Sequence, residues 1–163
     1  MNQQAEVFYD EPPSDANALV CSDGWQITWQ QTEATQTPGW ALKVQTELPV
    51  ILHVARMISE NDSKKGHSSE IKLFCFDTKM NVHQNALRLA SFLVQMSGTT
   101  GIWAPISSNH SLLLMAFQQA RSVIKQLDLS RSPMIFIGDA SNEKSFEAIS
   151  SGLDMPFHFQ ASY

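Results

Sequence analysis

Apolar residues recur along this chain with two alternating periods. Short, nearly continuous apolar runs predict buried strands, and each is followed by a longer segment whose apolar residues repeat every three or four positions, as in amphipathic helices. The predicted strands are 71–77, 101–107, 133–139 and 155–159, and the helices between them are 82–96, 111–127 and 142–151. The strand ends Asp77, Ser107 and Asp139 are 30 and 32 residues apart. This is the length of a strand–helix unit, so we expect an α/β three-layer sandwich with a mostly parallel sheet and right-handed crossovers.

The region before residue 70 carries a different pattern. Apolar and polar residues alternate at 25–29 and at 40–45, which predicts two strands. The polar stretch between them ends in a proline–glycine pair, so an N-terminal β-hairpin is possible. A buried helix is predicted from Thr46 to Ser59, with Pro49 tolerated in its first turn.

Composition limits the domain organisation and the partners. The 163 residues amount to one domain, in which residues 1–18, polar and acidic, predict a flexible arm and residues 19–163 a single α/β domain. A net charge of −5 argues against nucleic acid, and no apolar run is long enough to cross a membrane. Cys21 and Cys75 lack metal-ligand spacing, so we expect a cytoplasmic protein.

Polar residues follow three of the predicted parallel strands. Asp77 ends the first, Ser107 and Ser108 the second, and Asp139 the third, with Glu143 at the start of the following helix. The carboxyl ends of parallel strands meet at one edge of a sheet, where α/β proteins bind ligands, so these five residues are the candidate binding residues. A purely structural interpretation competes with this one. Asp139 and Glu143 are suited to capping a helix, and Asp77 to closing an Asx turn.

The C-terminal segment resembles the end of response-regulator receiver domains. The resemblance rests on a buried strand after a proline, a turn with glycine and aspartate, and a short last strand: Pro133 to Ile137, Gly152-Leu153-Asp154 and Phe157 to Phe159. It implies a flavodoxin-like fold and a signalling function.

The groups that receivers use to take up phosphate are replaced here. With a first strand at 40–45, only Glu47 is near the position of the metal-binding acid pair, and Ser107-Ser108 replace the aspartate that accepts phosphate. Asp139 and Gln160 stand where a hydroxyl residue and a lysine are expected. The resemblance therefore implies a pseudo-receiver without phosphorylation chemistry, which would regulate through contact with a protein partner or by self-association.

The same turn also resembles the last motif of haloacid-dehalogenase-like phosphatases, with Gly138-Asp139 and Glu143 at the family's spacing. Phe76-Asp77-Thr78-Lys79 resembles the nucleophile motif, and Ser107 and Lys125 resemble the phosphate-binding residues. This resemblance implies a Mg²⁺-dependent phosphohydrolase. Asp77, Ser107 and Asp139 would be catalytic, and Asp77, Asp139 and Glu143 would hold the metal. Lys79, however, replaces the second aspartate of the nucleophile motif.

Three functions follow from these patterns. The favoured one is a regulatory, receiver-like domain that acts by protein–protein contact, needs no cofactor and is not an enzyme. The second is the phosphohydrolase with Asp77 as nucleophile and Mg²⁺ as cofactor. The third is a small-ligand sensor that uses the crevice above Asp77, Ser107 and Asp139.

Overall fold

The computed structural model of the chain describes residues 6–9, 17–22, 24–61 and 70–162. The strands are β1 (Glu6–Tyr9), β2 (Asn17–Ser22), β3 (Trp25–Gln30), β4 (Glu70–Cys75), β5 (Ile102–Ile106), β6 (Met134–Gly138) and β7 (Phe157–Ala161). The helices are α1 (Pro38–Asn61), α2 (Val82–Met96), α3 (His110–Ile124) and α4 (Glu143–Gly152).

The seven strands form one sheet in which every strand lies beside its neighbour in the sequence. Strands β1, β2 and β3 are antiparallel, and β3 to β7 are parallel. Ile27 lies opposite Ile71, and Ile71 lies opposite Ile102, so the apolar positions of adjacent strands are in register. The predicted α/β fold with a mostly parallel sheet is confirmed.

Helices cover both faces of the sheet. Along β4, alternate side chains point to opposite faces, so Ile71 and Leu73 pack with α1, whereas Phe74 packs with α2, α3 and α4. The three-layer sandwich is therefore confirmed, and α1 is the only helix of one outer layer within the described part of the chain. Within the described residues, we find no helix with the length and apolar content needed to span a membrane.

Helix α1 corrects the sequence interpretation of the first half of the chain. Residues 40–45 were predicted to be a strand, but they lie within the 24-residue helix α1, as does Pro49. The buried residues Trp40, Val44, Leu48 and Ile51 are spaced by three or four positions, so helical packing overrides the local alternation.

The hairpin at the N-terminus is formed by other strands than predicted. β3 pairs with β2 in an antiparallel arrangement, and Gly24, at the turn between them, has a φ of 83° that favours glycine. Residues 6–9 and 17–18, expected in a flexible arm, lie in strands β1 and β2. The other residues of that arm are outside the described part of the chain.

The β3–α1–β4 crossover, which the sequence did not predict, differs in hand from those that follow it. The strands β3 to β7 advance in one direction across the sheet, and α2, α3 and α4 lie on one face while α1 lies on the other. The β3–α1–β4 crossover therefore has the opposite hand to the other three, and all four cannot be right-handed. Right-handed crossovers are the strong rule between parallel strands of one sheet, and helix α1 also extends beyond its own two strands to β5 and β6.

Candidate functional site

A crevice of about 240 Å³ lies at the carboxyl ends of β4 and β5, beside the amino end of α1. Its lining includes Asp77, Ser107 and Ser108, three of the predicted site residues, together with Lys43 and Lys79. The parallel pairing of β4 with β5 brings the two strand ends together. This is the edge of the sheet at which α/β proteins bind their ligands.

Asp77 is held in place by its own turn and by helix α2. The residue is only 6% exposed, and its Oδ1 accepts a hydrogen bond from the backbone N–H of Lys79 at 2.9 Å. Its backbone N–H donates to Asn85 Oδ1 at 3.0 Å, and its carbonyl accepts from Asn85 Nδ2 at 2.8 Å. The turn is therefore the predicted Asx turn. The second carboxylate oxygen makes no hydrogen bond within the described residues and is free to accept one from a ligand.

The two serines differ in what they offer to the crevice. Ser107 is buried, and its hydroxyl donates to the carbonyl of Asn109 at 3.0 Å and accepts from the N–H of Asn109 at 2.9 Å. This hydroxyl is thus occupied in fixing the turn that begins α3. Ser108 is exposed and also lines the crevice, so its hydroxyl is accessible.

The amino end of α1 forms the wall that the sequence interpretation missed. Thr37 caps the helix, because its Oγ1 accepts a hydrogen bond from the N–H of Trp40 at 3.2 Å. Lys43, one turn further along, lines the crevice and pairs with Glu47, with 3.3 Å between Nζ and Oε2. Burial raises the pKa of Glu47, and the adjacent Lys43 opposes this rise. A threonine followed by proline and glycine is a helix-start signal and could have identified this wall.

His110 and Cys75 are two further titratable groups beside the crevice. Burial lowers the pKa of His110, and the nearby charge of Lys43 lowers it further, so the imidazole is neutral at pH 7. Its ring packs edge to face with that of Phe136, with 4.9 Å between the two ring centres. Burial raises the pKa of the Cys75 thiol to about 12. A thiol with that pKa is protonated at neutral pH and is a poor nucleophile.

Asp139 and Glu143 do not line this crevice. Asp139 is exposed, and its Oδ1 accepts from the N–H of Ser141 at 2.9 Å, which lowers its pKa and caps the short 3-10 turn before α4. Glu143 is the first residue of α4 and is half-buried. Lys125, proposed as a phosphate-binding lysine, is exposed at the opposite, carboxyl end of α3.

The crevice does not have the ligands that Mg²⁺ prefers. Among the residues described, no three His, Cys, Asp or Glu side chains are grouped so that they could hold a metal ion. Asp77 is the one acidic side chain among the described residues of the lining, and Lys43 and Lys79 would repel a cation. The residues at this site therefore do not fit the metal that the phosphatase resemblance implies.

One hydrogen-bonding group without a partner among the described residues belongs to a residue of the crevice lining, the Trp40 indole N–H. Six buried side-chain polar atoms of the described residues lack a partner, and four of them belong to Trp29, Gln31, Thr32 and Trp40. Trp40 itself lines the crevice, and the centre of its ring lies 5.7 Å from that of Trp29. A buried polar group without a partner costs about 1–3 kcal/mol, so such groups commonly bind water or a ligand.

The charges around the crevice favour a ligand with an anionic group. Lys79 and Lys43, the latter also paired with Glu47, carry positive charge here, and α1, α2 and α3 all begin at this edge of the sheet, with the positive ends of their dipoles toward it. Asp77 adds a negative charge, which can accept a hydrogen bond from a hydroxyl or ammonium group of the same ligand.

Comparison with known proteins adds no family to these observations. The chain matches no protein-family model, no curated protein and no solved structure at a significant level.

Proposed function

We propose that this chain is a cytoplasmic, non-catalytic sensor domain that binds a small polar molecule with an anionic group in the crevice at the ends of β4 and β5. One observation carries the proposal: Lys43, Lys79 and the amino end of α1 surround a space of about 240 Å³ at this edge of the sheet. This volume is just below the usual range of about 300–1,000 Å³ for ligand pockets, which favours a compact ligand.

The chemistry of the crevice favours binding over catalysis. Asp77, the nucleophile of the phosphohydrolase alternative, has one oxygen engaged in its own turn and no second acid beside it in the lining. The Cys75 thiol is protonated because burial raises its pKa to about 12. Cys75 is a free thiol, as is usual for proteins of a reducing compartment. Regulation through contact with a protein partner, or by self-association, stays a prediction.

Titration with inorganic phosphate and with acetate, followed by ¹H–¹⁵N NMR, tests the binding site. We expect shifts of the backbone amides of Gly39, Lys79 and Ser108 and of the Trp40 indole N–H. Lys43→Met should weaken binding at least about tenfold, since a charge-assisted hydrogen bond contributes about 1.5–3 kcal/mol. Lys125→Met removes an equal charge from the far end of α3 and should leave the affinity unchanged.

Two results would count against the proposal. One is the absence of shifts at these residues with either anion, or shifts that Lys43→Met leaves unaltered. The other is turnover of an aryl phosphate with Mg²⁺ that is lost in Asp77→Asn, which would show that the domain is catalytic.

A further inference from the structure

A second and larger space lies on the face of the sheet that is covered by α2, α3 and α4. This groove, of about 500 Å³, runs between α2 and the edge of the parallel strands β3 and β4. Thr28, Gln30 and Lys72 form one wall, and Arg88 and Gln95 of α2 form the other. Its volume is within the range of small-molecule sites, about 300–1,000 Å³.

The groove exists because β3 is polar on the face toward α2. Gln26, Thr28 and Gln30 alternate with the buried Trp25, Ile27 and Trp29, so on that face β3 presents polar side chains, exposed or half-buried. The residues of β3 that are apolar all face α1 on the opposite side. Helix α2 packs on the next strands, and its outer side chains, including Ser91 and Gln95, line the groove. Most of the side chains that line the groove are therefore polar or charged, with Phe92 and Met96 of α2 among the exceptions.

Arg88 is the most distinctive residue of the groove. Its guanidinium lies 5.2 Å from the centre of the Phe74 ring, and Nη1 donates to Asn85 Oδ1 at 3.0 Å. Burial lowers the pKa of Arg88, yet no carboxylate of the described residues forms an ion pair with it. The charge of Asp77 acts on Arg88 from beyond ion-pair distance. A half-buried, oriented guanidinium that is not directly paired with a carboxylate can bind an oxyanion through two N–H groups at once.

The other side chains of the groove are suited to bind a ligand that carries hydroxyl groups. Lys72 adds a second positive charge, and it also makes no ion pair among the described residues. Glu70, Gln30 and Gln95 supply acceptors, and the two amides also supply donors. Each hydroxyl of a polyol both donates and accepts hydrogen bonds, so a polyol can pair with both the donors and the acceptors of the groove. Phe92, half-buried in the lining, provides an apolar surface for the carbon atoms.

We propose that this groove binds a polyhydroxylated small molecule with one anionic group, such as a sugar phosphate or a sugar acid. Arg88 and Lys72 bind the anionic group, and Glu70, Gln30 and Gln95 bind the hydroxyl groups. The site is separate from the crevice at the carboxyl ends of β4 and β5 and does not depend on the function proposed for it.

NMR titration with four probes tests this site: glucose 6-phosphate, glucuronate, glucose and inorganic phosphate. We expect the amides of Gln30, Lys72, Ser91 and Gln95 to shift with both anionic sugars. Glucose and inorganic phosphate should each bind at least about tenfold more weakly, because each lacks one half of the recognised chemistry. The two anionic sugars distinguish a phosphate from a carboxylate as the preferred group.

Variants separate the groove from nonspecific binding. Lys72→Met and Arg88→Met should each weaken binding of the anionic sugars by about tenfold, whereas Lys125→Met, far from the groove, should not change it. Arg88→Met also removes contacts to Phe74 and Asn85, so Lys72→Met decides the outcome if that variant does not fold. The proposal is overturned if glucose or inorganic phosphate shifts these groove amides with the same affinity as the anionic sugars. It is also overturned if neither anionic sugar shifts them, or if Lys72→Met leaves the affinity unchanged.

Discussion

Asn85 connects the crevice to the groove through hydrogen bonds. Its side chain is fully buried, and its Oδ1 accepts from the backbone N–H of Asp77 and from Arg88 Nη1. Its Nδ2 donates to the carbonyls of Asp77 and Asn81 at 2.8 and 3.1 Å. One amide thus fixes the turn at the end of β4 and orients the guanidinium of α2.

Replacing Asn85 by alanine should lower the free energy of unfolding by about 2–4 kcal/mol, because it leaves the buried backbone groups of Asp77 without partners. Urea denaturation followed by circular dichroism measures this change. The matched control is Gln84→Ala on the same helix. The side chain of Gln84 accepts from the N–H of Asn81 in an exposed capping box, so this variant should lose only about 0.5–1 kcal/mol. Equal losses in the two variants would mean that Asn85 is not a buried anchor.

The candidate site was predictable in part at the level of single residues. The spacing of the strand–helix units placed Asp77, Ser107 and Ser108 at one edge of the sheet, and the structure has all three in the crevice lining. Asp139 follows the same rule of strand ends, but it caps its own turn outside the lining. Spacing alone does not distinguish these cases, because the walls of the crevice also depend on α1.

Among the secondary-structure elements, α1 shows why the remainder of the site could not be predicted. Trp40, Leu42 and Val44 alternate with polar or small residues over a short stretch, a pattern that fits a strand. In the helix, Trp40 and Val44 face the sheet, whereas Leu42 is 63% exposed. Because this segment was predicted to be a strand, Lys43 and Trp40 were not expected at the ligand-binding edge.

The position of Pro49 gives a direct test of where α1 begins. In the structure Pro49 is exposed in the middle of the helix, where it cannot donate a hydrogen bond to the carbonyl of Gln45. Pro49→Ala should therefore raise the free energy of unfolding by about 1–3 kcal/mol, measured by urea denaturation.

Pro38 provides the control for this experiment, because it is the first residue of the same helix, where proline is favoured. Pro38→Ala should change the free energy of unfolding by less than about 1 kcal/mol. If the helix began at Thr46, Pro49 would lie in its first turn. Pro49→Ala would then give no increase, and the boundary described for α1 would be wrong.

For the whole molecule, the fold class could be predicted but the arrangement of the strands could not. Five parallel strands were expected and five are present, although the first of them is β3 and not residues 40–45. The alternation of strands and helices determines the number of parallel strands and their direction, because each crossover returns the chain to the same edge of the sheet. The order of the strands depends on which faces pack together. Among the described helices, α1 packs on one face and α2, α3 and α4 pack on the other, so the crossover through α1 has the opposite hand.

The lone position of α1 has a consequence for the rate at which the chain folds. From β4 to β7, each strand and helix contacts the next elements along the chain, so these contacts close shorter loops than a contact between α1 and β6. Helix α1 instead packs against β5 and β6, far along the chain. Its docking requires closure of a long loop, so we expect it to follow the rate-limiting step.

Stopped-flow kinetics in urea can detect this order of events. Ile51 of α1 and Ile124 of α3 are both buried, so replacing each by valine should cost about 0.5–1.5 kcal/mol. Ile51→Val should speed unfolding and leave the folding rate nearly unchanged, whereas Ile124→Val should slow folding. A slower folding rate in Ile51→Val would place α1 in the folding nucleus. With late docking, the crevice beside α1 would be the last part of the molecule to assemble and the first to open.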